Sequence, residues 1–283
     1  MSKHIPVIRQ KQVTAFLKPR PPDSHKGTFG TVLVVGGASG MVGAALLAAR
    51  AALKLGAGCV HVGLLAGDAP VVDMVQPELM LHRAESALRL IKPDVLAIGC
   101  GMSTSIPAQK LLLDALRLDT ALVLDADALN LLARHPDLQD DLRARKSATV
   151  ITPHPGEAAR LLDITTAKVQ AARIESAQQL AEKLRCSVVL KGAGSVCVTR
   201  DGKTYLNKTG NPGMSAPGMG DVLTGMLAAF IAQGLDADQA LLLAVHLHGA
   251  AGDALAEKGV AVGMTATEIT EWARWLINQW QFQ

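Results

Sequence analysis

Six short, largely apolar runs constrain this chain more than any other feature of its sequence. They read TVLVVGG (31–37), CVHVGL (59–64), DVLAIG (94–99), ALVLD (121–125), ATVIT (148–152) and SVVLK (187–191). Strands that are apolar at nearly every position are typical of a parallel sheet covered by helices on both faces. Helical segments such as 41–55 and 106–117 separate the runs. The pattern therefore predicts an α/β fold with a mostly parallel, doubly wound central sheet.

The pattern changes after Lys191. The runs SVCVT and KTYLN predict a hairpin around Asp201-Gly202, and three helices are predicted over about 221–233, 237–258 and 267–280. The last helix carries three tryptophans near helical spacing, which favours core or subunit contact: Trp272, Trp275 and Trp280. No linker or composition break interrupts the 283 residues. We therefore expect a single domain over 1–283, with 1–24 as an N-terminal extension.

Composition argues against several classes of partner. The net charge is only +3 and forms no basic block, so a nucleic-acid partner is not expected. No apolar run reaches the ~18 residues of a membrane span, and the start MSKHIPVIRQKQ lacks the apolar region of a secretory signal. The four cysteines form no CxxC pair and predict reduced core thiols: Cys59, Cys100, Cys186 and Cys197. A cytoplasmic protein is expected.

Unusual residues gather where the predicted strands end, which is where open α/β sheets bind ligands. GGASGMVGAA (36–45) only loosely resembles a dinucleotide-binding loop, because its spacing is not GxGxxG, so a NAD-dependent dehydrogenase is disfavoured. In TPHPGE (152–157) two prolines fix the position of His154, which suits ligand contact. Glu157 either favours the start of the next helix or holds a water-bound Mg²⁺.

Three further motifs allow a structural or a functional interpretation. KGAGS (191–195) is either a turn or a place where the backbone approaches a nucleotide. In VLDADALN (123–130), Asp127 is expected to cap a helix, whereas Asp125 ends a strand and faces the ligand crevice. His246 and His248 lie two apart on a helix and do not share a face, so both are expected to be structural.

SAPGMGDVLTG (215–225) places two glycines and an acid directly before a buried helix. Gly218 and Gly220 let several backbone N–H groups point at one spot, and the helix adds its own unpaired N–H groups and positive end. The segment therefore predicts an anion hole suited to a phosphate. Asp221 either caps the helix or takes a proton from a hydroxyl that attacks the phosphoryl group. No GxxxxGK[ST] loop is present.

GMGD resembles the GAGD motif of the ribokinase-like superfamily, and TPHPGE resembles its NxxE motif with His154 in place of Asn and Glu157 matching the Glu. HKGTFG (25–30), GMVGAALLAARAALKLGAG (40–58), DADALN, KGAGS and GNPGMSAPGMGDVLTG (210–225) are similar to one branch, the ADP-dependent NAD(P)H-hydrate dehydratases. The resemblance covers the chain from about 25 to the last helix. It implies a ribokinase-like three-layer α/β/α fold and a hydro-lyase (lyase) activity.

The implied reaction is cofactor repair. ADP phosphorylates the ring hydroxyl of hydrated NADH or NADPH, and phosphate then leaves, which yields NAD(P)H, AMP and phosphate. Asp221 would be the base, and Gly218 and Gly220 would cradle the phosphoryl group. The adenine nucleotide would contact Lys191, Gly192, Ala193, Gly194, Ser195 and Gly220, and the hydrated dinucleotide would contact Ala44, Gly101, His154 and Asp221.

The resemblance also implies Mg²⁺ as a cofactor and a homotetramer. Glu157 would help to place the ion through water, and Asp125 is a second candidate. The residues themselves do not decide between ADP and ATP, or between hydrated NADH and NADPH. Two alternatives stay open: a kinase of the same fold that acts on a vitamin precursor or sugar, and a nucleotide-binding protein without catalysis.

Overall fold

The computed structural model describes residues 5–281. Within that range nine strands form one sheet in the order β3-β2-β1-β4-β5-β6-β7-β8-β9. The strands are β1 (Thr31–Gly36), β2 (Cys59–Leu64), β3 (Met80–Arg83), β4 (Val95–Ile98), β5 (Ala121–Leu124), β6 (Thr149–Ile151), β7 (Ser187–Leu190), β8 (Val196–Val198) and β9 (Thr204–Leu206).

Twelve α-helices accompany the described strands. They are α1 (Gln10–Thr14), α2 (Val42–Lys54), α3 (Ala84–Leu90), α4 (Ile106–Leu116), α5 (Asp127–Arg134), α6 (Pro136–Ala144), α7 (Pro155–Leu162), α8 (Thr166–Ala171), α9 (Arg173–Leu184), α10 (Met219–Ala232), α11 (Ala237–Glu257) and α12 (Ala266–Gln281). Short 3₁₀ turns cover Lys26–Phe29 and Pro212–Met214.

The sheet confirms the predicted parallel core. The first seven strands pair in parallel, whereas β8 pairs antiparallel with both β7 and β9, as the predicted hairpin requires. All six predicted strands are present, and the five predicted helices end within two residues of the observed bounds. Strand β3 was not predicted. Its sequence, MLHR, is short and partly exposed, so it carries no periodic signal.

Helices cover both faces of the sheet. Along β1, Val32 and Val34 belong to a core that includes α2, α10, α11 and α12. The intervening Leu33 and Val35 belong to a second core that includes α4, α5 and α9. Alternate side chains of a strand point to opposite faces, so the chain forms three layers, α/β/α. This layering explains why the strands are apolar at nearly every position.

The segment predicted as an N-terminal extension packs on the sheet and on α10. Val7 pairs with Leu206 of β9, and the Arg20 guanidinium donates to the Gly56 carbonyl (2.7 Å) and to the Gln233 side chain (2.8 Å). The first four residues of this predicted extension lie outside the described residues. Across residues 5–281, each helix is too short or too polar to traverse a bilayer.

Two predictions about side chains are confirmed. All four cysteines are free, and three of them are buried. Trp280 is buried and its ring centroid lies 6.0 Å from that of His246, which supports the structural role expected for this histidine. Trp275 is 53% exposed, so it is not part of the core.

Candidate active site

The carboxyl ends of the parallel strands and the start of α10 surround a cavity of about 560 Å³. Its wall includes His154 after β6, the 191–195 loop after β7, residues 207–212, Gly220 of α10 and His248 of α11. Every residue predicted to contact the adenine nucleotide is therefore in this wall, together with His154. Gly218, Asp221, Ala44, Gly101 and Glu157 are not among the residues that line it.

Helix α10 begins two residues earlier than predicted. Gly218 precedes its first residue with φ +85°, a left-handed conformation that glycine adopts without strain, and Val222 N–H donates to the Gly218 carbonyl at 3.0 Å. A Cβ on Gly218 would lie 2.5 Å from Leu47 Cδ1. Asp221 is thus the third residue of the helix and not its cap. The N–H groups of this first turn have no acceptor within the helix, so they are available to an anion.

Asp221 lies beside two other reactive side chains. One carboxylate oxygen each of Asp221 and Asp125 and the Cys100 Sγ all lie within 4.8 Å of one another. Burial raises the pKa of Asp221 to about 6, although a hydrogen bond from the Cys100 thiol acts in the lowering direction. The carboxylate is therefore mostly ionised at neutral pH and more basic than an exposed aspartate. These are the properties required of a general base.

Asp125 joins the end of β5 to two neighbouring elements. It is 1% exposed; its Oδ1 accepts from Lys191 Nζ at 2.6 Å and its Oδ2 accepts from Thr224 Oγ1 at 2.9 Å. Burial acts to lower the pKa of Lys191. The negative charges of Asp125 and Glu157 have the larger effect and hold this pKa above its ordinary value. Lys191 Nζ lies 3.0 Å from the position that a Cβ on Gly220 would take. A cation therefore sits at the N-terminus of α10.

His154 and Glu157 form a capping box at the start of α7. His154 Nδ1 accepts from Gly156 N–H at 3.0 Å, and Glu157 Oε2 accepts from His154 N–H at 2.8 Å. The helix-start role considered for Glu157 is therefore confirmed. Burial raises the pKa of Glu157 to about 7. Burial, followed by the positive charges of Lys191 and Arg160, lowers the pKa of His154, so its ring is neutral at pH 7.

Ala44 and Gly101 lie together outside the cavity wall. A Cβ on Gly101 would approach the Ala44 Cβ to 3.1 Å, and the Gly101 carbonyl accepts from Ala38 N–H at 2.7 Å. Gly101 follows Cys100, whose side chain contacts Asp221. Asp221 therefore lies near two surfaces: one formed by Ala44 of α2 and the loop that contains Gly101, reached through Cys100, and the other formed by the cavity that Lys191 lines, reached through Asp125.

Sequence reasoning missed three residues of the site and misplaced one. Thr224 was not expected there, although it lies one helical turn after Asp221, and Cys100 was expected at a strand end only as a reduced core thiol. His248 was expected to be structural, yet it lines the cavity, and burial lowers its pKa to about 4. The N-cap role of Asp127 was wrong: Ala126 precedes the helix with φ +49°, and Asp127 begins it while accepting from Ser103 N–H at 2.8 Å.

With this geometry established, the chain can be compared with known proteins. A sequence model described as NAD(P)H-hydrate dehydratase matches residues 32–274. The chain belongs to the NAD(P)H-hydrate dehydratase family. An ADP-dependent (S)-NAD(P)H-hydrate dehydratase of Neisseria meningitidis is 41% identical over 93% of this chain and 90% of its own. A bifunctional NAD(P)H-hydrate repair enzyme of Coxiella burnetii is 40% identical over 96% of this chain, which spans only 55% of that longer protein.

Solved structures of the family agree with the fold. An ADP/ATP-dependent NAD(P)H-hydrate dehydratase of Bacillus subtilis, co-crystallised with ATP/Mg²⁺, has a TM-score of 0.89 and 31% identity over 99% of this chain and all of its own. A ribokinase-like superfamily protein of Enterococcus faecalis has a TM-score of 0.85 and 26% identity over 99% of this chain and 98% of its own. The ribokinase-like three-layer fold is therefore confirmed.

Proposed function

We propose that this protein repairs hydrated NAD(P)H with ADP as co-substrate. Asp221 takes the proton of the ring hydroxyl, whose oxygen attacks the β-phosphorus of ADP, and AMP leaves with the bridging oxygen. The new phosphate ester then breaks at its C–O bond and phosphate departs. The neighbouring ring carbon loses a proton, and the electron pair of its C–H bond forms the double bond that restores the dihydropyridine ring. Phosphate leaves far more readily than hydroxide, which is why a dehydration uses a nucleotide. The observation that carries the proposal is Asp221, with a pKa of about 6, at the start of α10 beside Lys191.

The two surfaces around Asp221 suggest where each substrate binds. The cavity fits the adenine nucleotide, with Lys191, Gly192, Ala193, Gly194, Ser195 and Gly220 in its wall. Gly218 and Gly220 would direct backbone N–H groups at the phosphoryl group. Ala44 and Gly101 would contact the hydrated dinucleotide, with His154 in the shared wall and Asp221 between the two ligands. A Cβ on Gly101 would lie 2.6 Å from the Met41 carbonyl oxygen, so glycine permits the close packing of the two segments that form this surface.

Mg²⁺ fits part of this site. Mg²⁺ prefers oxygen ligands and keeps several waters, and the buried Glu157 carboxylate offers oxygens of that kind near Lys191. Asp125 fits less well, because it already forms a salt bridge with Lys191 at 2.6 Å, whereas Glu157 accepts from the His154 N–H and faces a neutral His154 ring. We propose that Glu157 holds the ion through water and that the phosphates supply most other ligands. When bound, the ion would neutralise phosphate charge. The Bacillus subtilis relative was co-crystallised with ATP/Mg²⁺.

The decisive experiment is Asp221→Asn assayed with hydrated NADH and ADP. We expect turnover to fall by about 10²- to 10⁴-fold, because the proton acceptor is lost, while ADP binding persists. Returning NADH absorbance, AMP and phosphate are measured together. Asp137→Asn, a change at an exposed acid of α6, is the control. A near-normal rate for Asp221→Asn would refute the base assignment, and a stable phosphorylated product in the wild type would instead identify a kinase.

We also propose that the chain acts as one domain in a cytoplasmic homotetramer. Several large apolar side chains are exposed, including Val71 (92%), Met74 (86%) and Val262 (92%). Contacts between subunits would cover such side chains where they form one apolar patch. Light scattering coupled to size-exclusion chromatography measures the assembly directly.

A further inference from the structure

A buried chain of three side chains connects β5, β7 and α10 behind the cavity. We propose that Lys191 is a catalytic residue that stabilises the phosphoryl group in transfer, and that Asp125 and Thr224 are positioning residues that hold its ammonium at the start of α10. The proposal rests on the function proposed above. It narrows the nucleotide contact that the resemblance implies for Lys191 to one phosphoryl group, and it gives Asp125 and Thr224 a positioning role.

Asp125 lies where it can hold the Lys191 ammonium in place, and it does not line the cavity where substrate would bind. It is 1% exposed, and each of its oxygens has a partner from a different element: Lys191 at 2.6 Å after β7, and Thr224 at 2.9 Å on α10. Thr224 is itself fully buried. A carboxylate held on both sides fixes the direction of the ammonium that it binds.

Lys191 extends from Asp125 into the space where an anion would bind. Its side chain is 20% exposed, it lines the cavity, and its Nζ lies 3.0 Å from the position of a Cβ on Gly220. An ammonium has three N–H donors, and Asp125 uses one of them. The remaining donors can face the oxygens of a phosphoryl group that the N–H groups of α10 also bind. The Lys191 ammonium and the positive end of α10 would then both stabilise the negative charge of this phosphoryl group.

The position of Asp221 identifies which phosphate this is. Carboxylate oxygens of Asp221 and Asp125 lie within 4.8 Å of each other, and Lys191 Nζ lies 2.6 Å from Asp125 Oδ1, so the base and the ammonium are close enough to act on one phosphoryl group. There the hydroxyl oxygen bonds to the β-phosphorus while the bond from that phosphorus to the bridging oxygen breaks. The proton goes to Asp221, AMP leaves with the bridging oxygen, and Lys191 stays protonated throughout. Lys191 therefore serves the transferred β-phosphoryl group and not the AMP part of ADP.

Calorimetric titration with ADP and with AMP tests this directly. We expect wild type to bind ADP more tightly than AMP. For Lys191→Met, ADP affinity should fall by about 10- to 100-fold, as for a lost charge-assisted hydrogen bond, while AMP affinity changes by less than about threefold. An equal loss for both nucleotides, or no loss for ADP, would overturn the proposal.

A double-variant cycle in ADP affinity tests whether Asp125 acts through Lys191. Asp125→Asn should lower ADP affinity selectively, and the Lys191→Met/Asp125→Asn double variant should bind ADP no more weakly than Lys191→Met alone. Fully additive losses would contradict a positioning role. Thr224→Val, which keeps the shape and the charges, should reduce the preference for ADP in the same direction but by less. Thr270→Val is the matched control, because Thr270 is also buried but its hydroxyl donates to Ala266 on α12.

Neither titration needs hydrated NAD(P)H. If Asp221→Asn leaves turnover intact while the ADP-over-AMP preference still depends on Lys191, the assigned base has failed and the phosphate contact stands. If turnover behaves as expected and the preference is unaffected by Lys191→Met, the lysine assignment alone has failed.

Discussion

At the scale of single residues, the proposed base lowers the stability of the fold. Burial raises the pKa of Asp221 from 3.8 to about 6, so the folded state prefers the protonated form. Folding therefore loses stability as the pH rises from about 4 to about 6, and the full loss is present at neutral pH. A difference of about two pKa units corresponds to about 1–3 kcal/mol once partial exposure is allowed for.

Asp221→Asn should consequently be more stable than wild type by about 1–3 kcal/mol at pH 7.5, and the gap should close near pH 4. Urea unfolding at both pH values measures this, with Asp137→Asn as the exposed control. A variant that is no more stable than wild type at pH 7.5 would show that the carboxylate is not destabilised by burial.

Cys100 gives a second prediction, on the pH dependence of the rate. Its thiol hydrogen bond favours the ionised form of Asp221 and so lowers the pKa that burial has raised. For wild type, kcat/KM should fall tenfold per pH unit below an apparent pKa of about 6. Cys100→Ala should raise the apparent pKa below which kcat/KM falls. Cys100→Ser, which keeps a hydrogen-bond donor, should return this pKa to its wild-type value. A lower apparent pKa in Cys100→Ala would contradict the role of the Cys100 thiol in lowering the pKa of Asp221.

The motif residues of the site were predictable, but their partners were not. Gly218, Gly220 and Asp221 are nearly contiguous, so the physics of a helix start is enough to predict an anion site there. Cys100 and Thr224 look like ordinary core residues in the sequence. Their role comes from contacts across 121 and 99 positions, respectively, with Asp221 and Asp125, and no local pattern encodes such contacts.

At the scale of elements, the site depends on how closely α2 approaches α10. A Cβ on Gly225 would lie 2.0 Å from the Ala48 carbonyl oxygen, so only glycine permits this contact. Helix α2 also carries Ala44, and α10 carries Asp221, which means that the same contact sets the distance between the proposed base and its substrate.

Gly225→Ala should therefore destabilise the fold by about 1–3 kcal/mol or more through overpacking, and it should lower turnover as well. Gly43→Ala on α2 is the matched control. Apart from its chain neighbours and the nearby backbone of α2, no heavy atom of the described residues lies within 4 Å of a Cβ added to Gly43. This change should therefore be neutral or stabilising by up to about 1 kcal/mol. Denaturant unfolding compares the two, and equal stabilities would refute the close-contact interpretation.

The elements themselves were largely predictable because apolar periodicity is a local property. Strand β3 was not predicted, because MLHR has neither an alternation of apolar and polar residues nor a continuous apolar run. The start of α10 was placed two residues late because an acid near a helix start suggests a cap, whereas the chain uses Gly218 in a left-handed conformation before Met219.

At the scale of the whole molecule, the cavity joins parts of the chain that are far apart in sequence. Asp125 and Lys191 are 66 positions apart, and Asp125 and Thr224 are 99 apart. His154, the 191–195 loop, α10 and α11 all contribute to one wall. A ligand that contacts all of them binds only the folded chain, so it should stabilise the molecule as a unit.

ADP at about 100 times its dissociation constant should therefore add about 2.7 kcal/mol to stability, which corresponds to a rise of about 4–5 °C in Tm for a chain of this size. Differential scanning calorimetry over a series of ADP concentrations measures the shift, which should grow logarithmically with concentration. Lys191→Met should need about 10- to 100-fold more ADP for the same rise, whereas AMP should give equal shifts in both proteins. A Tm that does not change at ADP concentrations saturating by calorimetric titration would mean that the unfolded chain binds ADP as tightly as the folded one, which would refute a site built from parts of the chain this far apart.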